Sequence, residues 1–167
     1  DLTFDQSPFN DVDNVILSQL AYVNFRDVIP SVQMNKGITL KAAAQLFFDL
    51  HTEEELMQDK SFIKDAPKLL KKAAQTNRFR DVILSDYVDM VDETLEKQFG
   101  AFHIKLSPQC TYVAFRGTDD TLVGWKEDFN MSFISPVPSQ EDAVKYLDDT
   151  CSYIRGKLYV GGHSKGG

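Results

Sequence analysis

Five residues near the end of the sequence, Gly162-His163-Ser164-Lys165-Gly166, combine types and spacing that suit nucleophilic catalysis. A serine hydroxyl is a weak nucleophile until a base takes its proton. In a G-x-S-x-G turn between a strand and a helix, the serine backbone is strained and the hydroxyl stands above the sheet edge. The flanking glycines leave out Cβ atoms that would clash in so tight a turn. Ser164 is therefore the candidate nucleophile. His163 adjoins it, but neighbouring side chains on such a turn diverge. A general base must reach the hydroxyl within hydrogen-bond distance, so a structural role is expected for His163. The same divergence argues against a Ser164–Lys165 dyad. The backbone N–H of Lys165 matters more, because the residue after the nucleophile normally donates to the oxyanion. Its ammonium would lie near the first turn of the following helix, where the backbone is already electropositive. The expected offset is an acidic neighbour, with Asp119 and Asp120 as candidates, or an anionic group on a substrate; the alternative is a lysine that simply points into solvent.

A second segment, Tyr112-Val113-Ala114-Phe115-Arg116-Gly117-Thr118, leads into Gly124-Trp125-Lys126-Glu127-Asp128-Phe129. Together with the elbow at 161–167, this segment resembles class 3 lipases. It is more closely similar to a bacterial group of lipase-like α/β-hydrolases of unknown function, whose elbow reads Gly-Gly-His-Ser-Lys-Gly-Gly. The resemblance covers residues 111–167. It implies that Thr118 supplies the second oxyanion donor, through its backbone N–H and its hydroxyl, opposite Lys165. It also implies that a catalytic Asp and His follow the serine in chain order. Arg116, Trp125 and Asp128 would then be scaffold, an ion pair and a ring clamping the loop. Class 3 lipases usually carry an apolar residue where Lys165 stands, which argues against a triglyceride channel here.

The elements that must position these residues divide near Arg80. Before it the pattern is helical. Val12, Ile16, Leu17, Leu20 and Val23 recur at helical spacing over 11–24, and Ala43, Leu46, Phe47 and Leu50 over 39–50. Thr52 and Glu55 form a capping box, and Asp65-Ala66-Pro67 reads as another helix start. After Arg80, Val82-Ile83-Leu84 is a short apolar run. Residues 99–106 alternate, with Phe102, Ile104 and Leu106 on one face and His103 on a face expected to be solvated. Ser107-Pro108 turns the chain into a strand at 111–115, which predicts an antiparallel hairpin. Ser139 and Asp142 suggest the cap of a helix reaching Arg155, followed by a strand at 158–161. This strand–helix–strand unit predicts two parallel strands joined by a right-handed crossover, the second of them in the interior of the sheet.

Length and charge narrow the function. A chain of 167 residues suits one domain. The expected architecture is α/β: an α/β-hydrolase-like, mixed, mostly parallel sheet, with residues 1–80 mainly helical and 81–167 running from strands to the elbow. The net charge of −7 opposes nucleic-acid binding. Lys68, Lys71 and Lys72, the densest cationic cluster, read as a solvated helix face. No apolar run approaches the roughly 20 residues of a membrane span. Cys110 and Cys151 lack metal-type spacing and read as reduced thiols of a cytoplasmic protein. No metal or organic cofactor is implied. The expectation is a serine hydrolase acting on a small or lipid-like acyl ester, with Ser164, Thr118 and Lys165 as its site residues. The competing expectation is a catalytically silent hydrolase fold used for binding, and a weaker one is a thioesterase or peptidase.

Overall fold

The computed structural model describes residues 1–32, 36–58, 65–95, 97–118, 122–133 and 135–167. Connection length decides how its strands pair. Strand β2 (Ile83–Asp92) turns into β3 (Lys97–Ser107) across four residues, where Asp92 Oδ1 accepts from the Thr94 and Leu95 amides. Only Pro108 and Gln109 separate β3 from β4 (Cys110–Phe115). Connections this short permit only antiparallel pairing. Residues 116–156 separate β4 from β5 (Lys157–Gly162), room enough for helices α5 (Leu122–Asn130) and α6 (Pro138–Cys151), and this pair is parallel. With β1 (Ile38–Thr39) added, the five strands lie in chain order, β1-β2-β3-β4-β5.

The expected mostly parallel, α/β-hydrolase-like sheet is therefore corrected. The sheet is mixed, and three of its four pairings are antiparallel. One crossover does not make a doubly wound fold. The predicted antiparallel hairpin of 99–106 with 111–115 and the parallel pairing of 111–115 with 158–161 are both present, with His103 opposite Val113 and Thr111 opposite Leu158. Among the described residues, however, β5 is at the sheet's edge rather than in its interior. The apolar run at 82–84 also proves to be only the start of β2, whose later residues alternate too weakly to announce a strand.

Helices α1 (Asp11–Leu20), α2 (Leu40–Leu50) and α4 (Ala66–Ala73) cover one face of the sheet, and the short α3 (Glu53–Gln58) lies between α2 and α4 in the chain. Leu17, Leu20, Leu40, Phe47 and Leu70 pack there against Leu84, Phe102, Ile104 and Tyr112. Burying each such aliphatic side chain contributes about 1.5–3 kcal/mol. The start of α1 is well specified. Asn10 caps it, and its amide is in turn taken by Asp13. Asp13 is itself buried and paired to Arg78, whose guanidinium also donates to the Leu2, Ser7 and Pro8 carbonyls. That network fixes α1 across the end of the sheet. There Asn14 accepts the Tyr112 hydroxyl at 2.8 Å, beside β5.

Helix α6 covers the other face through a smaller cluster, Phe99, Ala101, Val113, Phe115 and Tyr146. The helix starts at Pro138, and the Val137 amide donates to Gln140, in place of the expected Ser139 cap. Its presence also corrects the reading of His103. The alternation in β3 is real, but the second face meets α6 rather than water, and His103 is only 2% exposed. The lysines at 68, 71 and 72 are exposed. Among the described residues no helix is long and apolar enough to cross a membrane.

Candidate functional site

Strand β5 ends at Gly162, and the chain then turns sharply. Ser164 takes φ 59°, a left-handed conformation that non-glycine residues rarely adopt. Holding a side-chain-bearing residue there costs of order 1–3 kcal/mol, and such strain persists only where the surroundings enforce it. Packing enforces it here. A Cβ on Gly162 would strike the Gly166 carbonyl, and one on Gly166 would strike the Phe115 carbonyl. The two glycines let the turn close on itself and against the end of β4. A single 3-10 turn, Ser164–Gly166, follows. The Ser164 side chain is exposed.

The Thr118 segment lies against this turn. Gly117 makes the closest approach. A Cβ there would collide with the His163 carbonyl and the Tyr22 hydroxyl, and would come within 3.3 Å of the Ser164 Cβ. Thr118 is the next residue in the chain. Its hydroxyl donates to the Asp128 carboxylate, 2.7 and 2.6 Å from the two oxygens. A hydroxyl has one proton to give, so the Thr118 hydroxyl, expected as an oxyanion donor, is committed to Asp128.

Lys165 turns away from the serine. Its ammonium meets Glu127 Oε2 at 2.7 Å and the Gln98 carbonyl at 3.2 Å, and its side chain is 6% exposed. The acidic offset anticipated for this lysine is thus Glu127 on α5; Asp119 and Asp120 lie outside the described residues. An ammonium buried in this way is not placed to meet an anionic group on a substrate. Glu127 also accepts the Gln98 amide and the Ser139 amide, each at 3.0 Å. Burial pushes its carboxyl up, but the hydrogen bonds from Lys165, Gln98 and Ser139 outweigh that, and its pKa falls below the ordinary glutamate value.

The remaining candidates sort by contact. His163 Nδ1 and the Tyr22 hydroxyl share a hydrogen bond of 2.9 Å, which latches the elbow to the end of α1 and gives His163 the structural part expected of it. Arg116 pairs with Asp89 at 2.5 Å, while Asp128 serves Thr118, so these two scaffold residues act separately. Trp125 is about half exposed. Cys110 and Cys151 are free thiols, their pKa values raised by burial. No group of three or more His, Cys, Asp or Glu side chains gathers as a metal site among the described residues. Sequence reasoning missed Glu127 and Tyr22. Glu127 stood in the quoted Trp-Lys-Glu-Asp-Phe run, but nothing in the spacing marks one acid of that run as buried. Tyr22 lies inside the 11–24 stripe but beyond the end of α1 at Leu20, and carried no signal.

A strand thus runs into a strained, exposed serine, with a glycine-led loop pressed beside it. The chain belongs to the Mbeg1-like family, whose model matches residues 73–167. This match corrects the assignment to class 3 lipases and to the bacterial α/β-hydrolase group. The shared elbow and Phe-Arg-Gly-Thr segment are short, and the sheet around them is largely antiparallel. The family name reaches as far as a lipase-like hydrolase. No curated protein and no solved structure matches the chain.

Proposed function

We propose that this protein is a serine hydrolase that cleaves an acyl ester, with Ser164 as its nucleophile. The observation that carries the reading is the Ser164 backbone at φ 59° on an exposed turn closed by Gly162 and Gly166. Strain of this kind clusters at functional sites, and a solvent-facing serine in a plain strand exit has no need of it. Ser164 Oγ attacks the ester carbonyl carbon as a base takes its proton. The carbonyl oxygen becomes an oxyanion, held by the backbone N–H groups of Lys165 and Thr118. Collapse expels the alcohol, which takes the proton back from the base. Water then repeats the sequence on the acyl-serine and releases the acid.

The three histidines of the sequence have other partners. His51 lies tilted against the Phe47 ring, His103 bonds Thr150, and His163 bonds Tyr22. The reading takes the base to be a separate group, oriented by an acid. The Lys165 charge is compensated by Glu127, which favours an uncharged ester over an anionic one. In the intact protein Ser164→Ala should abolish hydrolysis of a neutral short-chain nitrophenyl ester, a loss of ~10³-fold or more, while the fold is retained. Undiminished hydrolysis by that variant would overturn the proposal.

A further inference from the structure

We infer that the buried Glu127–Lys165 pair is a positioning device for the oxyanion site, resting on the reading of Ser164 as nucleophile. The two residues proposed to donate backbone N–H groups to the oxyanion are tethered by consecutive acids on one helix. Asp128 takes the Thr118 hydroxyl, and Glu127 takes the Lys165 ammonium. Helix α5 therefore reaches the two sides of the hole at once. Glu127 is 1% exposed, and its oxygens also take the amide that opens β3, at Gln98, and an amide in the first turn of α6, at Ser139. Lys165 closes the ring by donating to the Gln98 carbonyl. The side chain next to the nucleophile is thus anchored to three elements, and its own backbone N–H can hardly move while the ring is closed.

The arrangement is costlier than a structural role requires. Desolvating an ion pair consumes most of what the pairing returns, and apolar replacements of similar volume often hold a fold equally well. What an apolar pair cannot supply is a fixed direction. A misplacement of about 1 Å in a reacting group can lower a rate ~10²-fold.

The experiment follows from that difference. In the intact protein, Lys165→Met, Glu127→Gln and the double variant are compared with wild type. Three quantities are read: kcat and KM on a neutral short-chain ester, the rate of Ser164 phosphonylation by a fluorophosphonate, and thermal stability. Lys165→Met is expected to lower kcat ~10-fold or more with KM within about twofold, because only the transition-state contact is disturbed. The double variant should regain most of the stability lost by either single change yet remain as slow as Lys165→Met. Lys165→Arg, which keeps the charge, should recover part of the rate; it also provides a folded comparison where Lys165→Met does not fold. Activity that returns in step with stability in the double variant, or wild-type kcat and phosphonylation rate in folded Lys165→Met, would overturn the positioning role while leaving Ser164 as nucleophile. A wild-type protein whose Ser164 takes no phosphonate would overturn both.

Discussion

The two ends of helix α6 solve the same problem in opposite ways. At its start, the Ser139 amide meets the buried carboxylate of Glu127, which stays charged because Lys165 and two amides compensate it. A negative group there also suits the positive end of the helix. At its other end, Thr150 shares a 2.9 Å hydrogen bond with His103 Nε2, and Asp86 Oδ2 lies 3.6 Å from Nδ1. Burial lowers the His103 pKa, against the pull of Asp86, so the imidazole stays neutral. Asp86 takes φ 57° at the irregularity in β2, and its carbonyl accepts the Tyr146 hydroxyl. Both clusters are buried, polar and strained or ionised, features commonly read as catalytic. Only the first touches the residue beside the exposed serine. Burial with a shifted pKa therefore marks a polar cluster, and contact with the strained turn is what sets the proposed site apart from the scaffold.

The sharpest way to break this contrast is to remove one partner at the charged end. Glu127→Ala would leave the Lys165 ammonium buried and two amides unpaired. A loss of about 3–5 kcal/mol is expected, the usual result of orphaning one member of a buried pair. Chemical denaturation would show it as a lower midpoint. The wild-type contribution of Glu127 also has a definite acid limb. Its folded pKa lies below the ordinary value of 4.5, so the stability it adds is complete above that value and is lost as pH falls through the folded pKa. A midpoint unchanged in Glu127→Ala would show that the buried pair contributes no stability.

The neutral end should respond less and elsewhere. His103→Gln is expected to cost about 1–2 kcal/mol at neutral pH through lost hydrogen bonding and ring packing, with ester hydrolysis in the intact protein unchanged. Its pH signature differs too. The unfolded imidazole binds a proton near 6.5 while the folded one resists until lower pH, so the unfolded chain holds more protons in that window. Wild-type stability should fall as pH drops below about 6.5, and His103→Gln should flatten that part of the curve. Thermal unfolding from pH 7.5 to 5 tests this. A slope that survives the substitution would assign the acid response to another group.

Much of this was legible before any coordinates, for identifiable reasons. Local spacing identified the Ser164 turn, the Thr52–Glu55 box and the 107–110 hairpin, because each depends on residues only a few positions apart. The parallel pairing of β4 with β5 was legible because a helix of sufficient length separates them. What failed were inferences about the far side of an element. His103 has the right parity for a second sheet face, but whether that face meets water or α6 depends on a helix more than forty residues later. The same holds for Lys165, whose partner is 38 residues back. The sheet as a whole was misread because a single crossover was generalised to strands whose connections are too short for one.

The central claim is that the strained serine at φ 59° is the reactive group. The most direct test is to treat the intact protein with a fluorophosphonate and map the modified peptide by mass spectrometry. The account predicts one phosphonate per chain, on Ser164, and none in Ser164→Ala. Stoichiometric modification of a different serine, with Ser164 untouched, would contradict it.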